Sequence, residues 1–189
     1  MNETLPPEKS PLRMPPWCPP LFFLLLACVL LWKTVFAGEV FLPAGMLGHV
    51  SPWRESELFA NKPPWNPLRW DGIAQFYPWR LFAADTLRSG YLPLWNPYQF
   101  CGTPFVANSQ SAVFYPPNLL FTVLPTMRAF GVSAILHLAM AGWFTYLLLR
   151  RLNCSEIAAL LGGVVFAFSG WQIAWLQLPT FLATSCWIP

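Results

Sequence analysis

The sequence predicts an all-α integral membrane protein with three transmembrane helices and a long extracytoplasmic loop that carries short interfacial helices. Of its 189 residues, 56% are hydrophobic and only 10% are charged. Three apolar stretches each approach the roughly 20 residues that a helix needs to cross a hydrocarbon core about 30 Å thick. Basic residues beside two of these stretches orient the chain by the positive-inside rule.

The first predicted transmembrane helix covers residues 21–40 and includes Lys33 and Glu39. It follows a proline-rich tail, residues 1–20, for which we expect a disordered cytoplasmic segment. An alternative is a cleaved signal, because the sequence up to Cys28 loosely resembles a lipoprotein cleavage box. The apolar run continues beyond Cys28, whereas a signal core would end there, so the sequence favours an uncleaved helix.

The second and third predicted helices, residues 129–149 and 157–178, form a hairpin. Its turn, residues 150–156, begins with two adjacent arginines, and the N-terminal tail also carries basic residues. Both belong in the cytoplasm by the positive-inside rule, which places residues 41–128 outside. Residues 179–189 resemble the start of another span, so we expect the chain to be a truncated part of a larger protein.

The loop at residues 41–128 is much longer than a helix hairpin needs, which is typical of a functional loop. Its many tryptophan, tyrosine and proline residues favour a position along the outer membrane surface. Apolar spacing predicts a short amphipathic helix over residues 79–89, capped by Gly90, and a second helix over residues 117–123.

Composition also excludes some classes of function. The net charge of +3 is spread along the chain and forms no basic patch, so nucleic acid is not an expected partner. The five cysteines lack the paired spacing of a zinc site or a disulfide framework. We predict neither a cysteine-held metal nor a required disulfide bridge.

Asp71 is the first candidate for chemistry. It is surrounded in sequence by aromatic residues, which would partly remove its carboxylate from water. If a helix starts at Gly72, Gln75 lies one turn further on the same face. The alternative is that Asp71 only caps that helix, since aspartate is a preferred N-cap residue.

Arg80 and Arg88 are the second candidates. Eight residues separate them, about two helical turns, so they share a face and could bind a phosphate with bidentate hydrogen bonds. Alternatively, each arginine extends to lipid phosphates, and Asp85 pairs with Arg88.

Uncharged amides form a third group. Asn96, Asn108 and Gln110 offer donors and acceptors for a sugar ring, and Trp95 or Tyr115 offers an aromatic face. The alternative is that these amides satisfy the backbone of the loop.

Ordered motifs extend from the loop to the third helix. They are Asp71-Gly-Ile-Ala-Gln-Phe-Tyr-Pro78, Gly90-Tyr-Leu-Pro-Leu-Trp-Asn-Pro97, Cys101-Gly-Thr-Pro-Phe105, Ala107-Asn-Ser-Gln110, Tyr115-Pro-Pro-Asn-Leu-Leu120, Leu147-Leu-Leu-Arg150 and Leu161-Gly-Gly-Val-Val-Phe-Ala-Phe-Ser-Gly170. Together they closely resemble the bacterial YfhO family of membrane proteins. The resemblance covers the chain from the first span to its end.

This resemblance implies a C-type glycosyltransferase-like bundle, of which this chain would be the N-terminal part and inactive alone. Such enzymes transfer a sugar from a polyprenyl-phosphate carrier in the membrane to an acceptor of the cell envelope. Asp71 matches the acidic residue of the first loop, which serves as general base or as part of a metal site. The resemblance leaves open a divalent cation at Asp71 and implies no other cofactor, and Arg80 or Arg88 would meet the charge of the leaving phosphate.

Two other functions stay open. Lys33 and His137 lie within predicted spans, where charges are costly, and this favours a transporter or flippase of lipid-linked envelope precursors. The aromatic loop would also suit a non-catalytic assembly protein that docks a partner. Convergence of Asp71 and the arginines on one pocket would favour the enzyme.

Overall fold

The computed structural model describes residues 14–189, which are mostly helical and include one two-stranded sheet. Most of the predicted tail, together with its basic residues Lys9 and Arg13, lies outside the described residues. The helices are α1 (Cys18–Leu30), α2 (Trp32–Phe36), α3 (Pro67–Asp71), α4 (Tyr77–Arg88), α5 (Leu120–Val123), α6 (Thr126–Arg151), α7 (Glu156–Ala167), α8 (Gly170–Ala174) and α9 (Pro179–Ser185). Strands β1 (Trp95–Asn96) and β2 (Thr103–Pro104) pair antiparallel.

Two helical stretches of the described chain are long and apolar enough to cross a membrane. One is α6, whose 26 residues span about 39 Å at 1.5 Å per residue. The other runs from Glu156 to Ala174 and joins α7 to α8, where Ser169 caps α8 by accepting a hydrogen bond from the Gln172 amide. The predictions of an all-α chain and of apolar helices near residues 129–149 and 157–178 are confirmed.

The segment predicted as the first transmembrane helix is broken in two. Helix α1 has 13 residues, about 20 Å, and Leu31 leaves helical geometry with φ −101° and ψ 33° before α2 begins. Helix α2 ends at Phe36, and Gly38 follows with a positive φ of +70°. Lys33 of α2 is exposed and pairs with Glu39 at 3.6 Å.

Helix α1 packs against α6 and α7 through one large and two small residues. The fully buried Phe23 inserts beside Gly142 of α6 and Gly163 of α7. A Cβ atom added at either glycine would lie 2.4 Å from the Phe23 ring. Small residues are what membrane helices use to approach each other closely, so the three helices form one unit through this contact.

The turn between α6 and α7 is closed by polar contacts. Asn153 adopts a positive φ of 63°, and Ser155 caps α7. Glu156 pairs with Arg150 at 3.0 Å and accepts a hydrogen bond from the Tyr146 hydroxyl at 2.6 Å. These contacts hold the two helices antiparallel at the predicted turn.

Residues 37–125, which we call the connecting segment, have their own aromatic core. Phe76, Trp79, Phe105 and Phe121 are buried there and pack on Phe130 of α6. The core fixes the connecting segment on the first turns of α6.

Both helices predicted within the connecting segment are present. Helix α4 ends as expected at Gly90, whose φ of +82° lets the Gly90 and Tyr91 amides bond back to the carbonyls of Leu87 and Thr86. The second is formed by a 3₁₀ turn at Pro116–Leu119 followed by α5.

Candidate functional site

The candidate site is built on a continuous helical stretch that changes its hydrogen-bonding pattern midway. Asn66 starts α3 by accepting a hydrogen bond from the Leu68 amide at 3.0 Å. After Asp71 the chain forms a π-helical segment, Gly72–Phe76, and then continues as α4. Single π-helical turns within α-helices occur frequently at functional sites, and this one begins directly after the predicted catalytic residue.

Close packing surrounds the start of the π-helical segment. A Cβ atom at Gly72 would lie 3.0 Å from the Pro43 ring and 3.3 Å from the carbonyl oxygen of Gln177. Glycine therefore lets the helix touch the beginning of the connecting segment on one side and the chain after α8 on the other. The position of Asp71 is fixed by these contacts of its neighbour.

Asp71 is the last residue of α3 and is exposed. Its backbone is helical, with φ −59° and ψ −28°, and its side chain makes no capping hydrogen bond. The alternative that Asp71 caps a helix starting at Gly72 is wrong, because the helix begins earlier, at Pro67. The expected withdrawal of the carboxylate from water is also not found, since Asp71 remains on the surface.

Two of the predicted amide side chains meet one turn beyond Asp71. Gln75 Nε2 donates to Gln110 Oε1 at 3.1 Å, although 35 residues separate them. Asn108 caps the 3₁₀ turn Ser109–Ser111 by accepting a hydrogen bond from the Gln110 amide at 3.1 Å. The structure thus brings Gln75 and Gln110 together and gives Asn108 the backbone role that the sequence left as an alternative.

Arg80 points into the protein. Its Nη1 donates to the carbonyl oxygen of Ser111, its guanidinium lies 5.8 Å from the centre of the Phe121 ring, and its Nε has no partner among the described residues. Only 3% of the residue is exposed, and burial lowers the pKa of Arg80 to about 10. This arginine holds the turn that carries Gln110.

Arg88 fastens α4 to the end of α5. It pairs with Asp85 at 2.8 Å, as the sequence suggested. Its remaining bonds go to the carbonyl oxygens of Thr122, Phe121 and Leu124, at 2.9, 2.8 and 3.1 Å. Arg80 is buried, whereas Arg88 directs its donors to Asp85 and to carbonyl oxygens, so the two arginines do not share an exposed face in this conformation. Phosphate binding by either arginine stays a prediction.

Asn96 is buried in β1 and shapes the following turn. Its Oδ1 accepts a hydrogen bond from the Tyr98 amide at 3.0 Å. Neighbouring Gln99 accepts a hydrogen bond from Trp79 Nε1 at 2.6 Å, which ties the turn to α4. Asn96 also lines a cleft of about 870 Å³ between the outer face of α4 and this turn.

His137 has partners that the sequence did not reveal. Its Nδ1 lies 2.7 Å from the carbonyl oxygen of Ser133, one turn earlier in α6, and its Nε2 lies 2.9 Å from the Tyr115 hydroxyl. With Nδ1 donating to Ser133, Nε2 accepts the Tyr115 proton. Trp187 Nε1 donates to the same hydroxyl at 3.1 Å, so Tyr115 joins the connecting segment to two later parts of the chain.

Burial raises the pKa of Tyr115 to about 12, and proximity to Cys186 adds to this effect against the opposing hydrogen bond from Trp187. The Tyr115 phenol is therefore held in its neutral form. The spacing of Ser133 and His137, four residues on one helix, was visible in the sequence, but the contact with Tyr115 depends on tertiary packing.

The possible divalent cation at Asp71 stays a prediction. Among residues 14–189, no group of three His, Cys, Asp or Glu side chains is arranged to hold a metal ion.

No family model, curated protein or solved structure matches this chain. The resemblance to the YfhO family rests on the sequence motifs alone.

Proposed function

We propose that this chain forms part of a membrane glycosyltransferase that takes a sugar from a polyprenyl-phosphate carrier and attaches it to a cell-envelope acceptor outside the cytoplasm. The observation that supports this most is Asp71, an exposed carboxylate at the start of a π-helical segment. The bonded amides of Gln75 and Gln110 lie one turn away and offer neutral donors and acceptors beside it.

The proposed membrane arrangement has three spans. Helices α6 and α7–α8 cross as a hairpin, and α1 with α2 forms the first crossing beside them. The arginine-bearing turn at residues 150–156 is cytoplasmic by the positive-inside rule, which puts the connecting segment outside. Asp71 then lies on the side where a polyprenyl-linked sugar is used.

In the proposed reaction, Asp71 acts as general base. The acceptor oxygen attacks the anomeric carbon of the sugar, its proton passes to the Asp71 carboxylate, and the bond from the anomeric carbon to the carrier phosphate breaks. The phosphate leaves with the bonding electrons. A positioned base typically contributes 10²–10⁴-fold to the rate, and surface exposure of Asp71 leaves room for the acceptor.

The substitution Asp71→Asn, introduced into the chromosomal gene, tests the role of Asp71 as general base. We expect sugar transfer from the lipid-linked donor, measured in isolated membranes, to fall at least about 100-fold, because the amide cannot accept the proton. Glu57→Gln is the matched control, since Glu57 is another exposed carboxylate of the connecting segment, and it should transfer normally. Undiminished transfer by Asp71→Asn would remove Asp71 from the mechanism.

The structure weakens the observation that favoured a transporter. Lys33 is exposed and paired with Glu39, and His137 is bonded to Tyr115 and Ser133. Both residues therefore have structural partners that account for their presence.

An assembly protein stays the second candidate, and one observation favours it. Arg80 and Arg88 do not converge with Asp71, because each arginine bonds to backbone carbonyls elsewhere. Normal cell-envelope glycosylation in an Asp71→Asn strain, together with loss of glycosylation when the connecting segment is deleted, would support a docking role instead.

A further inference from the structure

The cleft on the outer face of α4 has the size of a ligand site. Its volume of about 870 Å³ falls within the range of roughly 300–1,000 Å³ that small-molecule sites occupy. One wall is α4 and the end of the π-helical segment, from Ala74 to Ser89, and the other is the turn that follows β1. Ala74, at one end of the cleft, belongs to the π-helical segment and lies three residues after Asp71 in the chain.

The turn that forms the second wall is built rigidly. Asn96 bonds to the Tyr98 amide, and Gln99 bonds to Trp79. At Gly102, whose φ is +115°, a Cβ atom would lie 2.5 Å from the Trp95 indole, so the loop of the hairpin closes tightly over that ring. The cleft is therefore shaped before any ligand enters.

Unused polar groups and aromatic rings share this cleft. Tyr91 and Tyr98 are 72% and 82% exposed, and the Tyr98 ring packs against Phe82 with centroids 5.9 Å apart. Among the residues that the structure describes, the two tyrosine hydroxyls and Nε2 of Gln99 have no hydrogen-bond partner, and Asp85 bonds to Arg88 through only one of its oxygens.

The charge of the cleft restricts the class of ligand. Asp85 is the one ionised side chain among the described residues of the lining, and Arg88, its partner, is engaged by backbone carbonyls. A carboxylate disfavours an anionic ligand, one carboxylate is too few ligands for a metal ion, and the charge of Asp85 is already paired with Arg88. A neutral ligand with hydroxyl groups on one edge and C–H bonds on its faces matches a carboxylate, an amide and two exposed rings.

We propose that this cleft is a saccharide-binding site, in which Tyr98 contacts the face of a sugar ring and Asp85 and Gln99 bond to its hydroxyl groups. We further propose that the bound saccharide is the acceptor of the transfer; this second statement rests on the proposed function. In this proposal the acceptor extends beyond the Ala74 end of the cleft, the end nearest in sequence to Asp71, and so approaches the base.

Binding is tested with four neutral disaccharides: maltose, cellobiose, lactose and N,N′-diacetylchitobiose. The protein is placed in lipid nanodiscs, because detergents with sugar headgroups would compete, and binding is followed by saturation-transfer NMR. We expect at least one disaccharide to bind wild type, and Tyr98→Ala to weaken it at least tenfold. Asp85→Asn should weaken it several-fold, whereas Phe114→Ala, which removes an exposed ring outside the cleft, should not change it.

Three results would overturn the saccharide site: no binding of any of the four disaccharides, equal binding by wild type and Tyr98→Ala, or Tyr98-dependent binding of a lysolipid without disaccharide binding. The two proposals fail separately. If disaccharide binding requires Tyr98 but Asp71→Asn transfers sugar normally, the role of Asp71 is refuted and the saccharide site is supported. Loss of transfer in Asp71→Asn without disaccharide binding does the reverse.

Discussion

Arg80 carries a positive charge into the interior of the connecting segment with one carbonyl oxygen as its hydrogen-bond acceptor. Removing a charge from water is costly unless the charge is paired, and the lowered pKa of Arg80 reflects that cost. The folded pKa of about 10 lies below the ordinary value of an arginine. The charge therefore destabilises the fold at every pH below about 10, and substitution, not acidification, reveals the penalty.

We predict that Arg80→Met changes the free energy of unfolding by less than about 2 kcal/mol, or even increases it. The lowered pKa of Arg80 corresponds to a desolvation cost of about 3 kcal/mol. Methionine removes that cost, which offsets the loss of the charged hydrogen bond, worth about 1.5–3 kcal/mol. Thermal unfolding in nanodiscs compares the stability of wild type and Arg80→Met. Arg80→Ala is measured beside them, because it removes the same charge but also leaves a cavity. A loss above about 3 kcal/mol in Arg80→Met would show that the guanidinium is well compensated. Loss of transfer without loss of stability would indicate a direct role for Arg80.

The stability of the fold is expected to depend on pH through the Tyr115 phenol. Its folded pKa is raised to about 12 from 10, so its contribution to stability is fully present below pH 10 and is lost as the pH rises through about 12. Tyr115→Phe lacks the bonds to His137 and Trp187 at all pH values. We expect the wild-type advantage in thermal stability to be constant up to about pH 10 and to narrow between pH 10 and 12. A constant advantage across that window would contradict the burial of the phenol.

At the scale of the helix, the contact of Phe23 with two glycines determines how α1, α6 and α7 fit together. A Cβ atom at Gly163 would lie 2.4 Å from the Phe23 ring and 2.6 Å from the carbonyl oxygen of Gly142. The ring can turn, but the carbonyl belongs to the backbone of α6 and cannot move without shifting the helix.

We predict that Gly163→Ala lowers the free energy of unfolding by about 1–3 kcal/mol, the usual cost of overpacking. Gly170→Ala is the matched control, because nothing lies within 4 Å of a Cβ atom there. The two variants are compared by thermal unfolding in the same nanodiscs. Equal stability of both would mean that the three helices do not meet at Phe23.

Local sequence signals predicted the helices well where local physics decides the structure. Helix α4 and its end at Gly90 follow from apolar spacing and from the positive φ that glycine adopts readily. The break at Leu31 was missed, because hydropathy averages over a window and carries no information on backbone geometry. The π-helical segment was also missed. It begins where Gly72 packs against Pro43 and Gln177, and contacts between residues distant in sequence leave no local signal.

At the scale of the whole molecule, the candidate site was predicted only in part. Gln75 lies four residues after Asp71 in the same helical stretch, and its bond to Gln110 joins parts of the chain 35 residues apart. The arginines were placed correctly on α4, but helical spacing could not tell that Arg80 faces the interior. The bond between Tyr115 and His137 likewise links the connecting segment to α6 and has no local signal.

The proposed chemistry depends on which side of the membrane the connecting segment faces. A cysteine-free variant carrying Arg69→Cys, an exposed position beside Asp71, reports on that side, and Asn153→Cys in the arginine-bearing turn is the opposite-side control. A membrane-impermeant maleimide applied to intact cells should label Arg69→Cys, and it should label Asn153→Cys only after the membrane is permeabilised. Labelling of Arg69→Cys only after permeabilisation would place Asp71 in the cytoplasm and contradict the proposed transfer.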